Sequence, residues 1–116
     1  MSSVASQPTN APAANVSPGR VLAGIASWYC LSKRSPCTVG YGPDQLVAAA
    51  GPALRAALGP GWRGTAVTVT ARGVSVRVQL IDWMGNPAAL LDLYAGVFRE
   101  LAPLGVGLVD VEVRPA

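Results

Sequence analysis

The chain has 116 residues, of which 51% are hydrophobic and 13% are charged, and its net charge is +3. This length suits one domain with a short extension, and the apolar content is too high for a fully disordered chain. The basic residues are scattered singly, so nothing indicates a nucleic-acid partner. The chain contains no histidine and two cysteines, which together exclude a Ser-His-Asp triad, a histidine base and the usual zinc sites. We expect no metal and no cofactor.

The N-terminal segment differs in composition from the rest of the chain. Residues 1–20 are rich in Ser, Ala, Pro and Asn, a composition that buries too little apolar surface to become ordered alone. We predict a flexible arm at 1–20 and one folded domain at 21–116. The arm lacks the basic and apolar regions of a standard secretion signal, and no stretch predicts a membrane span.

The first predicted element is a strand at 21–29, VLAGIASWY, followed by a polar loop that reaches residue 42. Cys30 and Cys37 lie seven positions apart in this loop, a spacing that favours a small disulfide-closed loop over a metal site. The Ala-rich residues 45–50 predict a short helix with Asp44 as its cap. Gly and Pro at 51–52 end that helix before a second helical turn at 53–58.

The second half of the chain carries the clearest pattern, TAVTVTARGVSVRVQLID, whose alternation of apolar and polar residues predicts a β-hairpin. A loop is predicted at 83–87, then a helix at 93–101 capped by Asp92, with Leu93, Val97 and Leu101 on one face. A last strand is predicted at 106–113. Six or so short strands with one or two short helices favour an all-β fold closed into a small barrel.

Four blocks of the sequence, in order, resemble the rare lipoprotein A-like double-psi β-barrels. Residues 24–29, GIASWY, resemble the family's GxASWY opening, and residues 44–50, DQLVAAA, resemble the segment that leads to its TAAH motif. VSVRVQLID is similar to its hairpin strand ending in Asp, and residues 90–113 are similar to its IDLS, helix and closing-strand block. The resemblance covers residues 21–114. It implies a six-stranded double-psi β-barrel, related to expansins and barwin-like proteins, that acts on or binds β-linked glycans.

The resemblance places the family's acidic site residue on Asp82. Cleavage of a glycosidic bond needs a carboxylic acid that protonates the leaving oxygen, and a hydrolase needs a second carboxylate about 5 to 9.5 Å away. Asp92 and Asp44 are the candidates for that second role, although both also suit a helix cap or turn. Where the family has histidine after two alanines, this chain has Gly51. We therefore expect lytic transglycosylase activity to be weak or lost.

Aromatic side chains supply the predicted glycan contacts. Trp83, Tyr29 and Trp28 offer flat faces for sugar rings, and each also suits ordinary packing. Trp83 ranks first because it follows Asp82 in a Gly- and Pro-rich loop.

Two functions are weighed for this chain. The first is a barrel that engages peptidoglycan or a related glycan outside the cell or in the cell wall. The alternative is a structural component of a larger assembly such as a phage virion, in which residues 1–20 dock on a neighbouring subunit. The lack of a standard secretion signal favours the alternative, since lysis or a virion would deliver the protein to the wall.

Overall fold

The computed structural model describes residues 21–30 and 46–116. The predicted arm at 1–20, the predicted cap Asp44 and the cysteine Cys37 lie outside these residues. Strands and helices follow one another in the order β1 (Leu22–Tyr29), β2 (Val47–Ala50), α1 (Pro52–Leu58), β3 (Ala66–Ala71), β4 (Val74–Trp83), β5 (Leu91–Tyr94), α2 (Ala95–Leu101), a 3-10 turn (Leu104–Val106) and β6 (Val109–Pro115).

The six strands close into a barrel in the order β1-β5-β2-β4-β3-β6. This confirms the all-β barrel with two short helices. Closure pairs every strand on both sides, so none presents a free edge.

The hairpin of β3 and β4 forms as the alternation predicts. Val67 and Val69 on β3, with Val78 and Leu80 on β4, are buried in the barrel interior. The connecting turn has positive φ at both central residues, 53° at Arg72 and 80° at Gly73, as a type I′ hairpin turn requires. Glycine adopts this conformation without strain, whereas Arg72 is held there by the ladder on either side.

Two pairs of neighbouring strands are parallel, β1 with β5 and β2 with β4, and the other four pairs are antiparallel. Parallel strands cannot be joined by a tight turn and need a longer crossover connection. The parallel pairs therefore bring together residues that lie far apart in the sequence.

The predicted helix at 45–50 is wrong, because Val47–Ala50 form strand β2. All four residues are buried, and β2 lies between β4 on one side and β5 on the other. Alanine favours helix only weakly, and two complete strand ladders outweigh that preference. Small side chains fit here because the strand is covered on both faces.

The predicted helix cap at Asp92 is also wrong. Asp92 lies inside β5, and α2 begins at Ala95 with Tyr94 in the cap position and no side-chain capping bond. Leu91 and Leu93 point into the core on either side of Asp92, and this strand alternation prevails over the helical spacing that begins at residue 93. The predicted core residues Leu93, Val97 and Leu101 are buried as expected.

The remaining boundaries shift by a few residues. The predicted turn at 53–58 is helix α1, and the last strand begins at Val109 rather than at 106 because a 3-10 turn comes first. Trp83, predicted to open a loop, is the last residue of β4. Along β6 the buried Val109, Val111 and Val113 alternate with exposed charged residues, which confirms the predicted wet face.

Candidate functional site

Four residues from four different strands lie in one row across the outside of the barrel. Ser27 of β1 pairs with Asp92 of β5, Asp92 pairs with Ala49 of β2, and Ala49 pairs with Asp82 of β4. Directly paired residues in a sheet point to the same face. We call this set, Ser27, Asp92, Ala49 and Asp82, the acidic row.

An irregularity between β2 and β4 brings Asp82 into the row. Ala48 pairs with Leu80, but the next residue, Ala49, pairs with Asp82, so Ile81 is skipped. Without this bulge Ala49 would face Ile81, and Asp82 would lie out of register with Asp92. Bulges of this kind commonly re-aim a side chain at a functional position.

Asp92 is half-buried and is held by a neighbouring hydroxyl. The Ser27 Oγ donates a hydrogen bond of 2.9 Å to Asp92 Oδ1. Burial raises the pKa of the Asp92 carboxyl above its ordinary value of 3.8, and the Ser27 hydrogen bond opposes part of that rise. Desolvation penalises the charged form, so this carboxyl holds its proton more tightly than an exposed aspartate does.

Asp82 is exposed and engages its own backbone. Its Oδ1 accepts a hydrogen bond of 2.8 Å from the Trp83 amide. This contact fixes the end of β4, where the chain turns out of the sheet.

The spacing of the two carboxylates follows from the sheet. Asp82 and Asp92 lie on either side of one strand, so their backbones are about 10 Å apart, twice the strand spacing. The buried methyl group of Ala49 forms the floor between them. Retaining glycosidases hold their carboxyl groups about 5 Å apart, which is well below this backbone spacing, whereas inverting enzymes use a gap of about 6.5 to 9.5 Å.

Gly51 occupies the position where the resembling family has histidine, and the structure leaves no room for a side chain there. A Cβ at this position would lie 2.4 Å from the Ala89 carbonyl oxygen and 2.7 Å from that of Leu90. The Gly51 amide donates a hydrogen bond of 2.9 Å to the Leu90 carbonyl. The backbone of this barrel at residue 51 therefore has no space for the histidine side chain of the resembling family.

Beside the end of β4, two arginines and two tryptophans alternate in a stack. The Arg55 guanidinium of α1 lies 5.5 Å from the Trp83 ring and 6.0 Å from the Trp62 ring, and the Arg63 guanidinium lies 4.7 Å from the Trp62 ring. These distances lie within the range of cation–π attraction. We call Arg63, Trp62, Arg55 and Trp83 the Arg–Trp stack.

Backbone carbonyls fix both arginines of the stack. Arg55 Nη1 donates to the Ala50 carbonyl at 2.7 Å and to the Met84 carbonyl at 2.9 Å. Arg63 Nη1 donates to the carbonyl of Ile81. Because these carbonyls belong to β2, to β4 and to Met84 directly after β4, the stack is anchored beside the strands that carry Ala49 and Asp82. Trp83, 57% exposed, is the most accessible large apolar side chain among the described residues.

The other two predicted aromatic residues lie on the opposite side of the acidic row, on β1. Tyr29 pairs with Tyr94 of β5 and meets its ring edge-on at a centroid distance of 6.1 Å. Tyr29 is two residues beyond Ser27, so it belongs to the same outer face. Trp28 packs against the core, and its Nε1 donates to the Leu104 carbonyl at 3.0 Å. Tyr29 thus lies on the same outer face as the acidic row, but like Trp28 it is partly buried and packs against the hydrophobic core.

The remaining predicted positions are outside this arrangement. Asp44 and Cys37 fall among residues that the structure does not describe, so the role of Asp44 and the pairing of Cys37 with Cys30 stay predictions. No cluster of three or more metal-ligating side chains lies within residues 21–30 and 46–116. Neither described helix is long and apolar enough to cross a membrane.

Comparison with solved structures identifies the architecture. The chain superposes on a Streptomyces papain inhibitor with a TM-score of 0.63 at 22% identity, covering 86% of this chain and 97% of that one. It superposes on a mutant Clavibacter michiganensis expansin in complex with cellohexaose with a TM-score of 0.64 at 23% identity, covering 84% of this chain and 50% of that one. Cerato-platanin 2 from M. perniciosa matches at a TM-score of 0.56 and 15% identity, over 81% of this chain and 94% of its own.

The fold is that of the expansin-like double-psi β-barrels. The resemblance seen in the sequence is confirmed at the level of fold. The double-psi barrel described here spans half the length of the expansin chain. No family model matches the sequence, and no curated protein matches it either.

The sequence does not indicate Arg55, which lies between Trp62 and Trp83 in the structure. Arg55 was assigned no role, because the sequence shows it only as one basic residue in an Ala-rich turn. Its position between Trp62 and Trp83 depends on how α1 packs at the end of β4. No local pattern encodes that packing.

Proposed function

We propose that this barrel binds a β-linked glycan of the cell-wall type, peptidoglycan being the first candidate, and does not cleave it efficiently. The observation that carries the proposal is the acidic row, with the exposed Trp83 at one end and the partly buried Tyr29 at the other. Carboxylates that accept hydrogen bonds from hydroxyl groups, together with aromatic faces, form the combination that suits sugar rings. The similarity to an expansin solved with cellohexaose supports a glycan ligand.

The acidic row suits binding better than hydrolysis. The backbone spacing of about 10 Å across the row is well above the gap of about 5 Å between the carboxyl groups of retaining glycosidases. Burial raises the pKa of the Asp92 carboxyl, which makes Asp92 the candidate proton donor. Asp82 is engaged with the Trp83 amide, and no histidine is available to orient water or substrate. Any residual cleavage would depend on Asp92 as the acid.

The test is sedimentation with insoluble peptidoglycan and, separately, with cellulose. The full chain is compared with Trp83→Ala and with Leu108→Ala, a matched control because Leu108 is 55% exposed and lies outside the site. We expect binding of the wild type, a loss of about tenfold in Trp83→Ala and no change in Leu108→Ala. A tenfold loss corresponds to about 1.4 kcal/mol, which lies within the range of about 0.5 to 1.5 kcal/mol for a contact between aromatic rings.

The supernatants of the wild type and of the variants Asp92→Asn and Asp82→Asn are assayed for released sugars. Binding without release supports a non-catalytic glycan module. Release that disappears in Asp92→Asn would overturn the non-catalytic part of the proposal. Absence of binding to both polymers would overturn the glycan function and leave the assembly component, docked through residues 1–20, as the hypothesis to pursue.

A further inference from the structure

We infer that the Arg–Trp stack makes the glycan site selective for chains that carry carboxylate groups. This inference rests on the proposed glycan binding and specifies the chemical class of glycan. It assigns to Arg63 the contact with the carboxylate and to Arg55 a positioning role between the two indole rings.

The positive charges of Arg55 and Arg63 have no carboxylate beside them among the described residues. Within the described residues, the contacts of Arg55 and Arg63 are carbonyl oxygens and indole rings, and none is a carboxylate. A guanidinium stays charged at every physiological pH. Two fixed positive charges thus lie beside an exposed aromatic face with no carboxylate partner in the part of the chain that the structure describes.

Both arginines also keep N–H donors that no described residue accepts from. A guanidinium has five N–H donors. The two bonds made by Arg55 and the one made by Arg63 all start from Nη1, so Nε and Nη2 of both side chains have no protein acceptor among the described residues. Nε and Nη2 form one of the edges through which arginine binds a carboxylate with two parallel hydrogen bonds. Arg63 is exposed, so we assign the carboxylate to it.

Both guanidinium groups are held in place before any ligand binds. The Trp62 ring and the Ile81 carbonyl already hold the Arg63 guanidinium, and Arg55 is held between two rings. A side chain that is fixed before binding loses less conformational freedom when the ligand arrives. An arginine chosen only for solubility would need none of these contacts.

The charges also orient the ligand. Asp82 and Asp92 give the acidic row a negative potential that repels a carboxylate, while the Arg–Trp stack beyond the end of β4 attracts it. A glycan that spans both regions therefore places neutral hydroxyl-bearing rings beside the carboxylates and an acidic substituent beside the stack.

The experiment uses two ligands with the same backbone. Cellohexaose is a neutral β-1,4-linked chain, and oxidation of C6 converts it to the corresponding glucuronate oligomer without changing the linkage. Affinity of the full chain for both is measured by calorimetry at low and at physiological salt. We expect the wild type to bind the carboxylated chain on the order of tenfold more tightly at low salt, with the difference shrinking as salt rises.

Three variants assign the preference. Arg63→Gln is expected to bind both ligands equally, at the affinity of the wild type for the neutral chain. Arg63→Lys keeps the charge but loses the planar fork, so it should keep only part of the preference. Arg77→Gln is the matched control, because Arg77 is another exposed arginine of this barrel and makes no contact with the stack.

The outcomes separate this inference from the function on which it rests. Equal affinity of the wild type for the two ligands overturns the carboxylate selectivity and leaves glycan binding intact. A preference that persists in Arg63→Gln overturns the assignment to Arg63. Failure to bind either ligand, together with no binding to the insoluble polymers, overturns the glycan function itself. The salt dependence of the wild type tests the charge without any variant.

Discussion

The wall formed by β3, β6 and the first half of β4 contrasts with the wall formed by β1, β5, β2 and the end of β4. In the first wall, antiparallel neighbours present buried valines inward and exposed polar residues outward. The second wall contains both parallel pairs and the bulge, and it carries every residue of the acidic row. The regular wall holds sequence neighbours in plain alternation, and the irregular wall brings together side chains from distant parts of the chain.

The contrast shows why functional residues gather where pairing is non-local. A hairpin places sequence neighbours together, so its outer face holds whatever alternates along one short stretch. Two parallel pairs and the antiparallel pair of β2 with β5 join Ser27, Ala49 and the two aspartates from positions up to 65 residues apart. Single substitutions in the irregular wall should therefore change the stability of the barrel. We expect the largest change from a clash with the backbone, a smaller one from lost side-chain contacts and the smallest from a lost charge.

The largest loss of stability is expected when a methyl group is added at Gly51, where the chain after β2 lies close to the backbone of Ala89 and Leu90. Gly51→Ala places a Cβ 2.4 Å from the Ala89 carbonyl oxygen, a contact with backbone that cannot move aside. We expect a loss of about 3 kcal/mol in the free energy of unfolding, measured by urea denaturation. Gly61→Ala is the control, since nothing lies within 4 Å of its Cβ position, and it should stay within about 0.5 kcal/mol of wild type. Equal stability of the two variants would contradict the close approach at Gly51.

An intermediate effect is expected from the Arg–Trp stack. Arg55→Met removes the two hydrogen bonds to the Ala50 and Met84 carbonyls and both ring contacts while keeping an extended apolar side chain. Losing charged hydrogen bonds to partly buried carbonyls should cost about 2 kcal/mol and shift the indole N–H resonance of Trp83.

Arg77→Met is the comparison for that variant, because it removes an exposed arginine on β4 that makes no stack contact. We expect this control to melt within a few degrees of wild type and to leave the Trp83 resonance in place. A Trp83 resonance that stays unchanged in Arg55→Met would show that the stack does not hold the ring.

The smallest effect concerns the charge of Asp92. Because burial raises its folded pKa above 3.8, the folded chain binds this proton more tightly than the unfolded chain does. The stability contributed by this proton is fully present below about pH 3.8 and is lost as pH rises through the folded pKa. Asp92→Asn should therefore be slightly more stable than wild type at pH 7, by at most about 1 kcal/mol since solvent screens a half-exposed charge.

The pH dependence checks this sign. Melting temperatures of Asp92→Asn and wild type should converge as the pH falls toward 3, where the wild-type carboxyl is protonated too. Ser27→Ala should raise the pKa of Asp92 further, because it removes the hydrogen bond that favours the charged form. A carboxyl titration by NMR that moves downward in Ser27→Ala would contradict this account.

Prediction of the fold from sequence succeeded where structure is local. The hairpin of β3 and β4, the strand β1 and the alternation of β6 follow from the spacing of valines and from Arg72–Gly73 at the turn. Asp82, Asp92, Tyr29 and Trp83 were named as site candidates from residue type and resemblance, and the structure places them along one wall and its end. Their relative positions could not be read from spacing along the chain.

By itself, the sequence determined the β-rich class, the absence of histidine chemistry and the order of blocks that resembles the double-psi barrels, because each of these depends on composition or on short-range periodicity. Only the tertiary structure decided that 47–50 is a strand, that Asp92 lies within β5, and that Arg55 joins two tryptophans. In each case the deciding contacts come from strands or helices distant in the chain. Burial between two ladders outweighs the small helix preference of alanine, and no local pattern records where a distant strand will pair.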